Sequence, residues 1–262
     1  MMKSRELLVY LSIKYEGDWD KIYNAIQMKE KVDIDEARKV NSNNKAKIIT
    51  CVDDDYPLCL KNAYHPPFVL YYYGDINLIN NRNMTRLGVI GTRSPSEYGI
   101  KAATEFSSEL AKDFVIVSGL ARGIDTVALR TAMEEQGNVI AVLGSGIERC
   151  YPNENSIIFQ EIRKKHLLIS EYPLDTPPRD TNFPFRNRLI AAFSDAVLVV
   201  EAKKRSGTLI TVGHALSLGR DIYCIPHRVG ESVSTNLLIR DGAYLAETPE
   251  DIRESIYKRV IS

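Results

Sequence analysis

The strongest constraint on the fold is an alternation of short apolar segments and helix-like segments that begins near residue 85. The apolar segments lack regularly spaced polar positions, which is typical of strands in a parallel sheet that is buried on both faces. Their alternation with helices predicts an α/β protein with a doubly wound, mostly parallel sheet. We expect strands at residues 87–90, 115–117, 139–143, 167–170, 196–200, 221–225 and 243–246. We expect helices at residues 99–112, 124–136, 153–165, 186–194, 208–218, 235–240 and 248–260.

The first part of the chain has a different pattern. Apolar residues at helical spacing, among them Leu7, Leu11 and Ile22, predict short helices within residues 1–45. The polar run at residues 41–44 predicts a linker or loop. A helical segment of this size is too small for a core of its own, so we expect it to pack on the rest of the chain.

Two further strands are expected at residues 48–52 and 68–73, between the helical segment and the repeat. The second contains Tyr71, Tyr72 and Tyr73, which suit a half-buried strand better than a base-stacking surface.

Composition sets the outer limits. The chain has 262 residues, of which 44% are hydrophobic, and a formal net charge of zero. This balance counts mildly against a nucleic-acid binder but permits a local basic site. No apolar run is long enough for a membrane span, no signal peptide is apparent, and the four cysteines lack zinc-site spacing. We therefore expect a cytoplasmic protein with reduced thiols.

The first informative turn follows the strand at residues 87–90 and contains Gly91, Thr92 and Arg93. It lacks both G-x-G-x-x-G and the Walker pattern, so neither a standard dinucleotide site nor a P-loop is indicated. Arg93 stands where a strand ends and is suited to clamp a phosphate. The alternative is an arginine in a solvated loop.

The second turn covers residues 118–125, with Ser118, Gly119, Arg122 and Gly123 ahead of a helix. Unpaired backbone N–H groups and the helix dipole favour an anion there. Asp125 either contacts a ligand or accepts hydrogen bonds from backbone N–H groups at the helix start.

The third turn carries Arg186, Asn187 and Arg188 at the beginning of a helix. The two arginines cannot face the same side, so we expect one at the site and the other paired with an acid. Phe183 and Phe185 suit core packing better than base stacking.

The fourth turn is a cationic run followed by a hydroxyl-rich helix start, which together form an anion cradle. It consists of Lys203, Lys204, Arg205, Ser206, Gly207 and Thr208. The alternative for Lys203 and Lys204 is a position on the solvated surface without a bound anion. Glu171, Asp195 and Glu201 also fall at strand ends, but no histidine and nucleophile accompany them, so we expect no catalysis.

These turns, together with Leu143-Gly144-Ser145-Gly146, Tyr151-Pro152-Asn153 and Ile239-Arg240-Asp241-Gly242, resemble the DNA-processing protein family DprA, also called Smf. The resemblance covers roughly residues 46–250. It implies an extended Rossmann-like DNA-binding domain at residues 46–262 behind a reduced SAM-like helical segment at 1–45. It also implies a homodimer without cofactor or metal that binds single-stranded DNA, protects incoming DNA and loads RecA in natural transformation.

The resemblance implies that Arg93, Arg122, Arg186 and the turn Ser206-Gly207-Thr208 contribute to the DNA-binding pocket. Across the four turns, the residues that we expect to bind DNA and phosphate are Gly91, Thr92, Arg93, Ser118, Gly119, Arg122, Gly123, Arg186, Asn187, Arg188, Lys203, Lys204, Arg205, Ser206, Gly207 and Thr208. A winged-helix domain, which some relatives carry after the core, is not expected after Ala246. The late helices near residues 208–218 and 235–240 are the expected place for dimerisation.

Two other functions stay open at this point. A nucleotide-sensing module would use the same cleft for a small ligand. A LOG-type glycohydrolase, which cleaves nucleoside monophosphates, would need a glutamate after its phosphate turn. Here Ser206-Gly207-Thr208 is followed by Leu209-Ile210-Thr211-Val212, which weakens that reading.

Overall fold

A computed structural model describes residues 3–33, 45–228, 231 and 233–261. The chain starts with helices α1 (Ser4–Lys14) and α2 (Trp19–Gln27), as the helical spacing predicted. Asp18 ends the turn between them, because its carboxylate accepts a hydrogen bond from the Lys21 backbone N–H at 3.1 Å and caps α2.

The described residues form a nine-stranded sheet with the order β1-β2-β6-β5-β4-β3-β7-β8-β9. The pairs β1–β2 and β2–β6 are antiparallel, and every other pair is parallel. The strands are β1 (Lys47–Thr50), β2 (Val69–Gly74), β3 (Arg86–Ile90), β4 (Val115–Ser118), β5 (Val139–Leu143), β6 (Leu167–Ser170), β7 (Ala196–Val199), β8 (Asp221–Cys224) and β9 (Tyr244–Leu245).

Helices cover both faces of this sheet. They are α3 (Asn77–Asn80), α4 (Glu97–Leu110), α5 (Ile124–Glu134), α6 (Ser156–Lys165), α7 (Asn182–Phe193), α8 (Gly207–Ser217), α9 (Val233–Arg240) and α10 (Pro249–Ile261), with 3₁₀ turns at Leu58–Leu60 and Asn153–Asn155. One core cluster contains Phe106, Leu129 and Phe159, and a second contains Phe193 and Val212. Two cores on one sheet confirm the predicted doubly wound architecture.

Strand β3 lies at the topological switch point. From β3 the chain proceeds through β4, β5 and β6 on one side, and then returns to β7, β8 and β9 on the other. The loops after β3 and β7 therefore diverge and leave a crevice at the carboxyl ends of the strands, where α/β proteins bind ligands.

The N-terminal helices pack on the sheet domain, as expected. The buried Tyr71 hydroxyl and the Ser12 hydroxyl are 3.0 Å apart, and the Trp19 indole N–H donates to the Pro66 carbonyl at 2.9 Å. Residues 34–44, which contain the predicted linker at 41–44, lie outside the described residues. Within the described part of the chain, no helix combines the length and apolarity that crossing a bilayer requires.

Candidate nucleic-acid interface

A cleft of about 430 Å³ opens at the switch point between the loops after β3 and β7. Its walls come from all four predicted turns and from the first turn of α7. The predicted residues that line it are Gly91, Thr92, Arg93, Arg186, Asn187, Lys203, Ser206, Gly207 and Thr208. Turns that are distant in sequence thus form one surface, because parallel strands present their carboxyl ends at one edge.

Arg93 is an exposed cation at the rim of the cleft. Its guanidinium lies 5.1 Å from the centre of the Phe183 ring, and Arg93 has no ion pair within the described residues. A cation over an aromatic face in a strand-end loop can pair with a phosphate without first breaking another ion pair.

Glu201 holds the loop that carries Arg93. Its carboxylate accepts hydrogen bonds from the Ser96 backbone N–H at 3.0 Å and the Ser96 hydroxyl at 2.8 Å. Its backbone carbonyl accepts from the Thr92 N–H at 2.8 Å. This acid at a strand end therefore ties the loops after β3 and β7 together.

Close backbone approach explains the glycine at position 123. Gly123 has φ +76°, and a Cβ atom there would lie 2.4 Å from the Thr92 carbonyl oxygen. The Ile124 N–H donates to that same oxygen at 3.2 Å. A side chain at Gly123 would force apart the first and second predicted turns.

Arg186 is buried beneath the cleft, with 3% of its surface exposed. Its guanidinium donates to the Gly119 carbonyl at 2.8 Å and to the Val142 carbonyl, which joins the ends of β4 and β5. A Cβ atom on Gly119 would lie 2.6 Å from the guanidinium, so glycine there is required by packing.

Asp125 faces the Arg186 guanidinium. Its carboxylate accepts from the Gly119 N–H at 3.1 Å, which realises the backbone-acceptor alternative. Burial lowers the pKa of Arg186 to about 10 against the opposing effect of Asp125, so the guanidinium stays protonated at neutral pH. Burial also raises the pKa of the Asp125 carboxyl, against the opposing effect of Arg186.

The start of α8 carries Ser206, Gly207 and Thr208 of the fourth turn, for which an anion cradle was predicted. The Asn187 amide donates to the Gly207 carbonyl at 3.1 Å and fixes this turn against α7. The Ser206 hydroxyl has no hydrogen-bond partner among the described residues, and Thr208 is 93% buried yet lines the cleft. Free backbone N–H groups at a helix start favour an anion at this point.

A second cavity of about 270 Å³ adjoins the cleft and shares Arg93, Phe183 and Arg186 with it. Arg122 and Tyr151 line its outer side. The Tyr151 ring stacks on Phe183 with centroids 5.4 Å apart, and the Arg122 guanidinium pairs with exposed Glu154 at 2.9 Å. Exposed aromatic faces next to cations suit stacking by nucleobases.

The structure does not bring every predicted residue to these cavities. Gly123, Lys204 and Arg205 line neither of them. Ser118 also lies outside, because its buried hydroxyl donates to the Val89 carbonyl at 2.7 Å and ties β4 to β3.

Arg188 is the clearest departure from the predicted site. It is 1% exposed and pairs with buried Glu171 through two hydrogen bonds of 2.8 and 2.6 Å. Its guanidinium also lies 3.8 Å from the Phe185 ring centre. One arginine was expected at the site and the other in an ion pair. Arg186 lies at the floor of the cleft, and Arg188 forms the buried ion pair.

The list of expected site residues also lacked several that line the cavities: Ser94, Ala121, Asp125, Gly144, Tyr151, Pro152, Asp180, Phe183, Pro184, Ile190 and Thr211. Phe183 gave a usable signal, since it precedes the helix start that carries Arg186, but core packing was the preferred interpretation. In the described part of the chain, no cluster of three or more His, Cys, Asp or Glu side chains is arranged to hold a metal ion.

Comparison with known proteins decides the family. The sequence profile of the family DNA recombination-mediator protein A matches residues 47–257. The chain belongs to this family. That result confirms the resemblance to DprA and Smf proteins that the ordered turns indicated.

Individual family members agree over most of the chain. It is 37% identical over 207 residues to DNA processing protein DprA of Bacillus subtilis (78% of this chain, 69% of the relative). It is 36% identical over 230 residues to DprA of Streptococcus pneumoniae (87% and 80%). The X-ray structure of the latter superimposes with a TM-score of 0.81 at 29% identity, covering 97% of this chain and 98% of the other.

A structure of DNA processing protein A from Helicobacter pylori, determined for its single-stranded DNA binding mode, is also similar. Its TM-score is 0.75 at 30% identity, and the match covers 83% of this chain and 98% of the other. The extended α/β sheet of this family member is thus shared with the present chain.

Proposed function

We propose that this protein binds single-stranded DNA in the switch-point cleft, and that it protects incoming DNA and loads RecA onto it during natural transformation. The observation that carries the DNA-binding step is the combination, in one cleft, of the α8 cradle and the unpaired cation Arg93. Membership of the recombination-mediator family and the named binding mode of the Helicobacter pylori relative support it.

Phosphates and bases are bound by different parts of the site in this proposal. The start of α8, Lys203 and Arg93 hold successive phosphates, with the buried Arg186 adding positive potential from below. Tyr151 and Phe183 offer ring faces to the bases in the adjoining cavity. Because a ring face accepts any base, the contact is expected to be largely independent of sequence.

The proposal includes a cytoplasmic homodimer that acts by binding alone. A catalytic role for Asp125, a carboxylate at the cleft, is disfavoured because the group is 93% buried and occupied by the Gly119 N–H and the Arg186 charge. Glu201 is likewise engaged by Ser96.

The test is a titration of the purified protein with fluorescent oligo-dT across a salt series. Duplex DNA and thymidine monophosphate serve as competitors. We expect tight binding to the single strand with an affinity that falls steeply with salt, and weak competition by both. Complete displacement by the mononucleotide would instead establish a small-ligand cleft. Positive binding leads to a strand-exchange assay with RecA, in which addition of this protein should relieve inhibition by a single-strand-binding protein.

A further inference from the structure

A third cavity, of about 270 Å³, lies between the start of α2 and the first turn of α7. We call it the α2–α7 pocket. It is lined by Glu16, Gly17, Asp18, Trp19, Asp20, Tyr172, Arg179, Thr181, Asn182 and Phe185. It is separate from the cleft, because no residue lines both cavities.

One buried polar group at this pocket lacks a partner. Asn182 is 8% exposed, and its side-chain Nδ2 has no hydrogen-bond partner in the described residues. Tyr172, which is 3% exposed, also lines the pocket. A buried amide without a partner destabilises the folded chain. A ligand that offers an acceptor to Asn182 would therefore recover that free energy.

The charges around the pocket exclude a phosphate as its occupant. Glu16 is paired with Arg179, and Asp18 is paired with Lys21 at 3.0 Å, which leaves exposed Asp20 without an ion pair in the described chain. An anion in this pocket would face uncompensated negative charge. A free cation fits poorly as well, because a guanidinium or ammonium has no acceptor for the Asn182 amide.

The apolar walls are aromatic. One face of the Phe185 ring is covered by the Arg188 guanidinium at 3.8 Å. The Trp19 ring is stacked on His65 and on Tyr23, with ring centroids 4.0 and 5.1 Å apart. The edge of the indole, rather than a ring face, therefore borders the pocket. A small, flat, neutral ligand that carries both donors and acceptors matches these walls and polar groups.

We propose that the α2–α7 pocket binds one nucleobase of a DNA strand whose phosphates lie in the cleft. Asn182 donates to a carbonyl or ring nitrogen of the base, while the Asp20 carboxylate accepts from its amino or imino group. The volume, below the range of about 300–1,000 Å³ typical of drug-sized ligands, suits one base without its phosphate. The first turn of α7 contributes residues to both cavities, so we expect one DNA strand to reach both.

This inference rests on the proposed binding of single-stranded DNA, but its first test is independent of it. The chain contains a single tryptophan, and Trp19 lines the pocket. In the full chain labelled with ¹⁵N-tryptophan, one indole resonance therefore reports on the pocket. Cytidine, thymidine, adenosine and guanosine, which lack phosphate, are titrated separately. We expect a saturable shift of the indole resonance with at least one of them.

The second test uses two oligonucleotides of equal length, one of dT and one with abasic sites throughout. Both are expected to bind by fluorescence anisotropy, but only the dT strand should shift the indole resonance. The pocket proposal would be overturned if neither the nucleosides nor the dT strand shifted the indole resonance, even if the strand bound tightly. A shift by nucleosides without oligonucleotide binding would retain the base pocket and overturn the proposed DNA-binding function.

Variants separate the two sites. Asn182→Ala should weaken nucleoside binding about tenfold, the effect of one lost hydrogen bond, and leave the affinity for the abasic strand unchanged. Arg93→Ala should weaken binding of the abasic strand and leave nucleoside binding unchanged. Because Asn182 is buried, Asp20→Ala, at an exposed position, provides a second variant that retains the fold. Saturable binding of N-acetyl-arginine amide in place of any nucleoside would overturn the proposal in favour of a basic peptide.

Discussion

Unpaired charge is the property that distinguishes Arg93 from the other arginines of the site. Arg186 and Arg188 donate hydrogen bonds to carbonyls and to Glu171, whereas Arg93 lies over Phe183 and has no hydrogen-bond or ion-pair partner among the described residues. We predict that Arg93→Ala weakens oligo-dT binding and lowers the slope of log affinity against log salt by about 0.7, the value for one lost phosphate contact with a single strand.

The matched control for Arg93 is Arg130→Ala, because Arg130 is an exposed arginine on α5 that lines neither cavity at the strand ends. Its affinity and salt slope should equal those of the unaltered protein. Equal slopes for the Arg93 and Arg130 variants would move the phosphate contact elsewhere.

Arg122 is a weaker candidate than Arg93 for a phosphate contact, because Glu154 competes with DNA for its guanidinium. The two side chains are 60% and 55% exposed and 2.9 Å apart. We predict that Arg122→Ala reduces affinity less than Arg93→Ala does, and that Glu154→Gln increases affinity by releasing the guanidinium. Binding isotherms at two salt concentrations check this. A Glu154→Gln protein that binds more weakly would show that the pair itself shapes the site.

Sequence reasoning located these side chains but not their burial. The pattern around Arg186 and Arg188 predicted two arginines that point different ways, and this was confirmed, but α7 begins at Asn182, four residues before the predicted start. Which of them meets Gly119 and Val142, and which meets Glu171, depends on how α7 crosses the ends of β4, β5 and β6. Those contacts join residues far apart in sequence, and local periodicity carries no information about them.

At the scale of elements, the turn between β4 and α5 depends on backbone geometry at Gly123. The conformation at φ +76° and ψ −128° is accessible to glycine alone among ordinary residues. We predict that Gly123→Ala lowers the free energy of unfolding by about 1–3 kcal/mol and weakens oligo-dT binding, because the loop bearing Thr92 must shift. Urea unfolding and anisotropy measure the two effects.

Gly213→Ala is the control for this substitution. Gly213 lies within α8, where a Cβ atom would have nothing within 4 Å. Alanine should leave binding unchanged and raise stability by up to about 1 kcal/mol through helix propensity. If Gly123→Ala behaved in the same way, the positive φ would have no role in the site.

The start of α10 provides a pH-dependent contribution to stability. The Asp251 carboxylate accepts hydrogen bonds from the backbone N–H groups of Glu247 at 2.9 Å and Thr248 at 2.8 Å, and these bonds lower its pKa below 3.8. A lowered pKa means that the stabilisation is complete above pH 3.8 and is lost as the pH falls through the folded-state value.

We predict that Asp251→Ala lowers the free energy of unfolding by about 0.5–2 kcal/mol at neutral pH, as the loss of a helix cap does. The difference from the unaltered protein should shrink towards zero in strongly acidic solution, where the carboxyl is protonated. Denaturation curves at neutral and acidic pH decide the point. A difference that is independent of pH would exclude the carboxylate charge as its source.

The elements themselves were largely predictable. Strands β5 and β6 have the predicted bounds, and β3, β4, β7 and β8 differ by a residue at one end. Their order in the sheet was not predictable, because the sequence of a four-residue apolar strand does not indicate which strand pairs with it. Strand β2 is an example. It pairs antiparallel with β6, and its register places Tyr71 opposite Ser170, which is distant in the sequence.

For the whole molecule, a net charge of zero is compatible with a DNA-binding cleft because binding depends on where the cations lie and not on their total. Several surface cations are neutralised locally: Arg149 pairs with Asp175, and Arg253 pairs with Asp113 and Glu250. Arg93 and Lys203 at the cleft have no ion pair among the described residues. The total charge therefore could not reveal these two cations at the strand ends.

The proposed homodimer can be assigned to a surface. On the late helices at residues 208–218 and 235–240, where dimerisation was expected, Leu218 and Leu238 pack on the core, whereas Leu216 is 59% exposed. The edge strand β9 leaves Tyr244 and Leu245 each 45% exposed. An apolar edge strand is a template for pairing with another chain, so this edge is expected to be covered in the assembly.

If the chain forms the proposed homodimer through β9, Leu245→Lys should yield a monomer and leave the fold intact, because the substituted side chain lies on the surface of the single chain. Sedimentation velocity over a range of concentrations measures the mass, and circular dichroism checks the fold. Ile157→Lys is the control, since Ile157 is 81% exposed on α6, away from β9, and should leave the dimer unchanged. Dissociation by Ile157→Lys and not by Leu245→Lys would place the interface on the α6 face, and would leave β9 as a solvent-exposed edge protected by its two-residue length.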